Sequence, residues 1–394
     1  MTGSDADLVF TTVTDPRFVR FVSESWRRED NMEGPDSRPS GSRSTNDCRP
    51  AGSSSSSSTK KPLPLPDPKA QDVMRRVLAA HAAHALPVNT LYAEVPADPL
   101  PDNERLQRQR AAIADIVKRS GLAGSDKTVV EFGAGDGSLS RTLCREGVAG
   151  SFVLIDRSKQ RMNRAAMSQM PMSQLCTDVA SLRPEELREA APNACIMVSN
   201  HLCGAAQDAA IQCALNAWVD APTTTPCGGP CGECSDETGG GKGGRGSSDS
   251  LAGIVAVTCC HHACADASFL GTAYLRDVCG LSTSDRELVR KWSLMAPRRE
   301  RAANCRPRVI EASKVLEVSP SEAAHLGLCC RALMDSARAR FLHDRGFSVS
   351  LVHHVPNTLT ADNVMLLAVR TPPLQAATPI AAGEGNGVPP INVG

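Results

Sequence analysis

Aromatic residues, net charge and long apolar runs are all scarce in this chain. Its 394 residues include 8 Phe, 2 Tyr and 3 Trp, too few to favour stacking of unpaired bases on aromatic platforms. The 43 basic and 43 acidic side chains cancel, which argues against a protein that coats nucleic acid by bulk electrostatics. No apolar run approaches the roughly 20 residues that span a bilayer, so no membrane segment is predicted.

No secretory signal peptide is predicted either. The first residues, MTGSDADLVFTTVTD, lack its basic and apolar regions. The 16 cysteines are therefore interpreted as reduced thiols, most of them packed singly as small apolar side chains. A cytoplasmic or nuclear location is predicted.

Three stretches have the composition of disordered chain, being rich in Ser, Pro, Gly or charge. They are residues 1–68, an insertion at 221–250 and a tail at 371–394. Residues 69–370 are predicted to form one domain around the insertion. The insertion carries a C-x3-C-x2-C pattern, interpreted as a linker that contains cysteines, with a metal site as the alternative. Its cysteines are Cys227, Cys231 and Cys234.

Apolar strands and amphipathic helices alternate along this domain. This alternation predicts an α/β fold with a mostly parallel sheet and helices on both faces. The predicted strands are KTVVEF, SFVLID, ACIMVSNHL, LAGIVAVTCC, FSVSLVHHV and NVMLLAVR. The predicted helices between and around them include KAQDVMRRVLAAHAAHAL, SKQRMNRAAMSQ and ADASFLGTAYLRDV.

A glycine loop joins the first predicted strand to its helix in VVEFGAGDGSLSRTL. Gly133, Gly135 and Gly137 allow a sharp turn and close approach of a ligand to the backbone. Asp156 ends the next strand, where a carboxylate can accept hydrogen bonds from ribose hydroxyls. The alternative is a structural turn with a structural aspartate.

The details of the loop favour S-adenosylmethionine (SAM) over a nicotinamide cofactor. A dinucleotide loop has its third glycine one residue later, where this chain has Ser138. The acidic Glu131 just before the loop supports the SAM interpretation. Asp178, after the third strand position, is predicted to lie near the adenine.

Two further segments begin at the ends of the predicted strands ACIMVSNHL and LAGIVAVTCC, and they are SNHLCGAAQDAA and CCHHAC. Ligands bind beyond the carboxyl ends of parallel strands, so both segments are expected at one cleft. Cys259-Cys260 and His261-His262 are adjacent pairs, which zinc sites rarely use and which point apart on a strand end. We therefore predict a catalytic loop on the substrate side and no metal, with packing or a structural zinc as alternatives.

These two segments resemble those of the eukaryotic tRNA:m4X modification enzymes. Those enzymes are tRNA ribose 2′-O-methyltransferases acting on the fourth nucleotide of the acceptor stem, with a Lys-His-Leu-Cys-Gly and a Cys-Cys-His-His motif. The resemblance extends to EFGAGDGSLS, HLGLCCRALMDSARARFLHDRGF and TADNVMLLA, over roughly residues 102–370. It implies a Rossmann-like, seven-stranded SAM-dependent methyltransferase fold and the same reaction.

Two departures from that family are visible. Asn200 stands where the family has the lysine before His201. The family also carries Cys/His zinc fingers at its N-terminus, whereas Cys48 is the only cysteine before Cys144 here. Two other functions therefore stay open: a methyltransferase of this fold acting on another RNA or a protein, and a SAM-binding homologue without catalysis.

Attack by a 2′-hydroxyl needs alignment with the methyl group at about 3 Å and a group that accepts its proton. Histidine is suited to this because an unperturbed imidazole is mostly neutral at pH 7. In order of preference, the candidates are His261, His201, His262 and Asp208.

For the substrate, tRNA is the expected partner, and neither DNA nor a membrane is expected. The stretch Arg286–Lys314 holds nine basic and three acidic residues, a plausible phosphate-binding patch or else a solvated charged loop. Arg298, Arg299 and Arg301 are predicted to contact the RNA, together with Asn200 at the cleft.

Overall fold

The computed structural model describes residues 66–92, 101–158, 170–192, 194–220, 251–297 and 302–370, with the backbone only for 302–307. The three stretches predicted to be disordered lie outside these ranges, apart from residues 66–68. The helix predicted for SKQRMNRAAMSQ also lies outside them, except for its first residue. Within the described ranges, no helix is both long and apolar enough to cross a bilayer.

Strands and helices alternate as the sequence predicts. The first half comprises α1 (Pro68–His84), β1 (Val88–Thr90), α2 (Asp102–Arg119), β2 (Gly124–Phe132), α3 (Ser138–Arg145), β3 (Ala149–Ile155), β4 (Met172–Leu175) and α4 (Pro184–Ala190). The second comprises β5 (Cys195–Asn200), α5 (Ala205–Trp218), β6 (Leu251–Val257), α6 (Thr272–Asp277), α7 (Thr283–Trp292), α8 (Ala302–Leu316), α9 (Pro320–His343), β7 (Phe347–His353) and β8 (Val364–Arg370).

The described strands form one sheet in the order β1-β7-β8-β6-β5-β2-β3-β4. β8 runs antiparallel to both of its neighbours, and every other pairing in this sheet is parallel. This confirms the Rossmann-like, mostly parallel sheet. The strand count is eight, one more than the seven that the resemblance implies, and neither the short edge strand β1 nor β4 was among the strands predicted from the sequence.

Helices cover both faces of the sheet, and the pleat explains why. On β2, Val129 belongs to the same buried cluster as Ile113 of α2 and Leu143 of α3, whereas Val130 belongs to a second cluster that includes Ile211 of α5. Successive side chains of a strand point to opposite faces, so a strand buried on both sides is mostly apolar. A third apolar cluster is formed by residues of α1, α6, α7, α8 and α9.

Local sequence signals fix the ends of the long helix α9. The Ser319 hydroxyl accepts a hydrogen bond from the Glu322 backbone N–H, and the Glu322 carboxylate accepts one from the Ser319 N–H, which forms a capping box. The chain leaves the helix through Gly346, whose φ of +84° suits glycine.

One predicted helix is too long. ADASFLGTAYLRDV was expected to be helical throughout, but only α6 forms, and residues 265–271 are turns. The Thr272 hydroxyl donates to the backbone carbonyls of Asp266 and Phe269, which holds the turn in place. Gly271 packs so closely on Ala337 of α9 that a Cβ would lie 2.3 Å from its methyl group.

Candidate active site

The glycine loop lies between β2 and α3, as predicted. Gly133, Gly135 and Gly137 have φ angles of +70°, +57° and +72°, a region that other residues adopt only at a cost. The backbone N–H groups of Gly133 and Ala134 donate to the Ile155 carbonyl at 2.9 and 3.0 Å. The loop is therefore tied to the end of β3, and the space where a Gly135 Cβ would stand is open.

Glu131 lies directly before this loop and is buried. Its carboxylate accepts hydrogen bonds from the Ser140 backbone N–H at 3.0 Å and from the Ser140 hydroxyl. Burial raises the pKa of Glu131 to about 7, against the opposing effect of the Ser140 hydrogen bonds. Glu131 thus fixes the first turn of α3 to the end of β2.

Asp156 follows β3 and faces the glycine loop. Its Oδ2 accepts a hydrogen bond from the Gly135 N–H at 2.9 Å, and its Oδ1 accepts one from the Ser158 N–H at 2.9 Å. Each oxygen keeps further lone-pair capacity for a ligand. Asp178 lies beyond β4, is exposed, and caps a short turn by accepting from the Ala180 N–H at 2.9 Å.

The segment after β5 reaches the glycine loop. Asn200 ends the strand, and its buried Oδ1 has no hydrogen-bond partner among the described residues. His201 is exposed and has a φ of +58°, a strained value for a residue other than glycine. Leu202 lies over the loop, because a Cβ on Gly133 would come 2.9 Å from Leu202 Cδ1.

Gly204 brings the two family-like segments into contact. Its φ is +60°, and a Cβ there would lie 2.6 Å from both the Cβ and the carbonyl oxygen of Ala263. Ala263 belongs to CCHHAC, whose residues His261–Ala263 form a short 3₁₀ turn after β6. The segments after β2, β5 and β6 therefore meet at the carboxyl edge of the sheet, as predicted.

The adjacent cysteines of CCHHAC do not point apart. β6 ends at Val257, before the two cysteines, and Cys260 has a left-handed φ of +31°. The alternation of side-chain directions along a strand therefore does not apply to Cys259 and Cys260. The sulfurs of Cys203, Cys259 and Cys260 lie within 4.8 Å of one another, and those of Cys203 and Cys259 are 3.5 Å apart. The expectation of divergent side chains is wrong here.

His261, the preferred proton acceptor, is only 1% exposed. Its Nε2 lies 2.7 Å from Oδ1 of Asp335 on α9, and its Nδ1 has no hydrogen-bond partner in the described part of the chain. Burial lowers the pKa of His261, against the opposing effect of Asp335. The imidazole of His261 is therefore neutral and donates a hydrogen bond from Nε2 to the Asp335 carboxylate. Thr258 also donates to Asp335, at 3.1 Å.

Asp208 is buried as well, in an ion pair with Arg338. The guanidinium donates from Nε and Nη2 to the two carboxylate oxygens at 2.8 and 3.0 Å. The same Arg338 donates to Asp335 at 3.3 Å and to the Cys264 sulfur at 3.0 Å. His261, Asp335, Arg338 and Asp208 thus form one buried network that joins α5, α9 and the CCHHAC segment. His262, the remaining candidate, is half-buried.

Sequence reasoning missed the α9 half of this network. Arg331, Asp335 and Arg338 are spaced four and three residues apart, so they share one helix face that is otherwise apolar. Arg331 donates at 2.6 Å to Asp362, in the TADNV segment before β8. Charged residues on the apolar face of a helix were the available signal.

Nearby, Asn363 of the same segment fixes a second buried histidine. The Nδ1 of His354 lies 2.8 Å from the Asn363 carbonyl. Burial lowers the pKa of His354 to about 4, with a smaller contribution from the charges of His201 and His353.

Much of the predicted basic patch has partners. Arg286 is buried and donates to Asp266 at 2.9 and 2.8 Å. Arg290 donates to the Cys264 carbonyl at 2.8 Å, and Lys291 pairs with Glu287 at 2.6 Å. Arg298, Arg299 and Arg301 lie outside the described residues.

A parallel sheet with a glycine loop after β2, and an acid after β3 that contacts this loop, defines a Rossmann-like fold of the SAM-dependent methyltransferase type. The chain matches the family model described as Methyltransferase TRM13 over residues 108–369. It therefore belongs to that family.

Two curated relatives match the chain over about two thirds of its length. The chain is 24% identical over 320 residues to the tRNA:m(4)X modification enzyme TRM13 homolog of Homo sapiens, covering 66% of this chain and 64% of the relative. It is 26% identical over 302 residues to tRNA:m(4)X modification enzyme TRM13 of Yarrowia lipolytica, covering 67% and 59%. The matched part thus spans somewhat less than two thirds of these relatives.

Among solved structures, an O-methyltransferase family protein from Burkholderia thailandensis overlaps 68% of this chain and 59% of its own. Its TM-score is 0.29 and its sequence identity is 11%, which is too low to support an argument.

Proposed function

We propose that this protein is a SAM-dependent methyltransferase that methylates a ribose 2′-hydroxyl of tRNA, at the fourth nucleotide of the acceptor stem. One structural observation carries the proposal. Leu202 packs on Gly133 of the glycine loop and Gly204 packs on Ala263, so the cofactor loop and both family-like segments line one edge. Family membership and the tRNA-modifying names of the relatives support the substrate class.

The glycine loop fits the adenosyl part of SAM. Open space lies over Gly135, and the Asp156 carboxylate beside it can accept hydrogen bonds from ribose hydroxyls. Asp178 would hold the adenine side, and the unpartnered Oδ1 of Asn200 can accept a hydrogen bond from a bound group. When bound, SAM supplies a methyl group on a positively charged sulfur, already activated for transfer.

His201 is the residue that we propose as the proton acceptor for the 2′-hydroxyl. A general base must come within hydrogen-bond reach of the substrate. His201 is exposed between Asn200 and Leu202, whereas His261 and Asp208 are at most 1% exposed and engaged in the buried network. His261 and Asp208 then act as positioning residues, and half-buried His262 can contact the substrate beside them.

The RNA would be held by charge and by shape. Arg298, Arg299 and Arg301 are proposed to contact phosphates of the RNA. Their positive charges would neutralise these phosphates and release the counterions bound to them, which favours binding. Asn200, in place of the family's lysine, offers a hydrogen bond but no charge to this contact.

Binding of SAM tests the cofactor half of the proposal. Titration calorimetry should show SAM binding by the full chain and at least about tenfold weaker binding by Asp156→Ala, which loses a charge-assisted contact. Asp126→Ala, at the opposite end of β2, is the matched control and should bind normally. Equal SAM affinity in all three proteins would contradict the assigned site.

Incubation of the protein with labelled SAM and tRNA, unrelated RNA or protein distinguishes the proposed function from the two alternatives. Label transferred from SAM to tRNA, but not to unrelated RNA or to protein, supports the proposed substrate. Label on another RNA or on a protein would show a methyltransferase of this fold with a different substrate. SAM binding without transfer to any of them would indicate a non-catalytic homologue.

A further inference from the structure

Three cysteines meet at the edge where β5 and β6 end. Cys203 follows β5 by three residues, and Cys259 and Cys260 follow β6. Their sulfurs all lie within 4.8 Å of one another, and this group is called the thiol cluster below. Among the described residues it is the only group of three or more Cys, His, Asp or Glu that meets this distance criterion.

The thiol cluster differs from the cysteines that serve as packing. The Cys195 and Cys213 thiols each donate to a backbone carbonyl, of Ala191 and Leu182 respectively, as isolated buried thiols do. The Cys203 thiol also lies 3.5 Å from a backbone carbonyl, that of His201, but in the thiol cluster the sulfurs contact one another as well, with Cys203 and Cys259 3.5 Å apart. Packing alone gives no reason to gather three weak donors around a common point.

The spacing is that of sulfurs around one metal ion. Zinc–sulfur bonds of about 2.3 Å at tetrahedral angles place ligand sulfurs about 3.8 Å apart. The closest pair here is at 3.5 Å and every pair is within 4.8 Å, so small side-chain rotations reach that arrangement. The left-handed φ of +31° at Cys260 belongs to the same loop that turns both adjacent sulfurs toward Cys203.

We propose that the thiol cluster binds one Zn²⁺ ion through three thiolates. Thiolates are soft ligands, which favour Zn²⁺ over hard cations such as Mg²⁺. Each thiol releases its proton to solvent as its sulfur binds the metal. Because Cys203 is exposed, a solvent molecule can complete the tetrahedral set from that side.

The ion would lock two segments of the candidate active site together. Cys203 lies one residue after Leu202, which packs on the glycine loop, and Cys259 and Cys260 directly precede His261. Because each thiol must lose its proton to bind the metal, binding should strengthen as pH rises.

A cobalt titration tests the proposal on the full chain. The background protein carries Cys227→Ser, Cys231→Ser and Cys234→Ser, so that the insertion cannot contribute ligands. Co²⁺ replaces Zn²⁺ in thiolate sites and gives a thiolate-to-metal charge-transfer band in the near ultraviolet. One equivalent of Co²⁺ should produce this band, and Zn²⁺ should abolish it by competition.

Single substitutions identify the ligands. Cys203→Ser and Cys260→Ser, at the more exposed positions, should weaken Co²⁺ binding roughly 100-fold while the metal-free unfolding midpoint stays close to that of the background. Cys279→Ser, a half-buried thiol outside the cluster, should bind as the background does. Absence of the band, or a band that survives both cluster substitutions, would overturn the proposal. A Cys203–Cys259 disulfide found by intact mass in protein purified under reducing conditions would overturn it too.

This proposal does not rest on methyl transfer. The charge-transfer band reports metal ligation whether or not the protein methylates tRNA.

Discussion

The Nε2 of His261 and the Oδ1 of Asp335 lie 2.7 Å apart, with both side chains almost completely buried. Burial opposes ionisation of Asp335, but His261, Arg338 and Arg331 together hold its pKa below the usual range. An ionised carboxylate thus sits inside the protein between a neutral imidazole and a buried guanidinium. Through it, the CCHHAC segment is fixed to α9.

Removing one charge from this network should destabilise the protein strongly. Asp208→Ala leaves Arg338 without the carboxylate that accepts hydrogen bonds from its Nε and Nη2. Loss of one member of a buried ion pair typically costs about 3–5 kcal/mol of unfolding free energy. Urea unfolding monitored by circular dichroism measures the change.

The control for this prediction is an exposed pair on the same helix end. Arg340 and Asp344 pair at 3.0 Å with side chains 55% and 54% exposed. Asp344→Ala should shift the urea midpoint little, because exposed pairs are screened by solvent. The double variant Asp208→Ala/Arg338→Met should recover part of the loss. Equal effects of Asp208→Ala and Asp344→Ala would contradict the network's role.

Gly204→Ala should separate the two cleft segments. The new Cβ would lie 2.6 Å from Ala263, and the φ of +60° is itself unfavourable for alanine. Overpacking and strain of this kind cost about 1–3 kcal/mol each. Gly280→Ala is a matched control, since Gly280 has a φ of +66° with no atom within 4 Å of an added Cβ.

We expect Gly204→Ala to lower both the unfolding midpoint and the affinity for SAM. Gly280→Ala should show only the smaller backbone cost and bind SAM normally. If the two alanine variants had the same unfolding midpoint and the same affinity for SAM, the close packing of Gly204 on Ala263 would not contribute to SAM binding.

Glu131 makes stability depend on pH in an unusual direction. Burial raises its folded pKa to about 7, above the value of 4.5 for an unperturbed glutamate. The stabilisation from the protonated carboxyl is therefore complete below about pH 4.5 and is lost as the pH rises through about 7. Glu131→Gln, which mimics the neutral form, should gain stability relative to the unmutated protein over this window, by at most about 3 kcal/mol.

Glu131→Gln must be compared with the unmutated protein, because buried histidines change the free energy of unfolding with pH in the opposite direction. Burial lowers the pKa of His353 and His354 to about 4, so their contribution is present above pH 6.5 and lost as pH falls toward 4. Subtracting the unfolding free energies of the two proteins at pH 5 and pH 8 isolates Glu131. A difference that does not change with pH would show that Glu131 is ionised at both values.

His201 and His261 should fail in different ways when substituted. We expect His201→Gln to lower kcat by about 100-fold or more while SAM affinity and unfolding stay normal, as loss of a general base does. His261→Ala should instead lower the unfolding midpoint, because it leaves buried Asp335 short of a partner. Normal kcat in His201→Gln, with a stable but inactive His261→Gln, would return the role of base to His261.

Local sequence signals predicted the part of the site that is local in the chain. The glycine loop, Glu131 and Asp156 lie within 26 residues, and their spacing alone predicts a turn, a helix start and an acid at the next strand end. The order of strands also places the segments after β5 and β6 at the same edge. These features follow from periodicity and from the topology of parallel sheets.

The buried network was not predictable in the same way. His261 and Asp335 are 74 residues apart in the chain, and Asp208 and Arg338 are 130 apart. No periodic pattern links residues at such distances, so His261 looked like an accessible base. The convergence of the three thiols was missed for a related reason, since no local sequence signal predicts the left-handed conformation of Cys260.

The most direct test of the central claim is transfer of radiolabelled methyl from SAM to unmodified tRNA, followed by nuclease mapping of the labelled nucleotide. Asp156→Ala and Asp126→Ala run beside the unmutated protein. The account predicts label on a ribose 2′-oxygen at the fourth nucleotide of the acceptor stem, lost in Asp156→Ala and kept in Asp126→Ala. Label on a base or at another position, or label that survives Asp156→Ala, would contradict it.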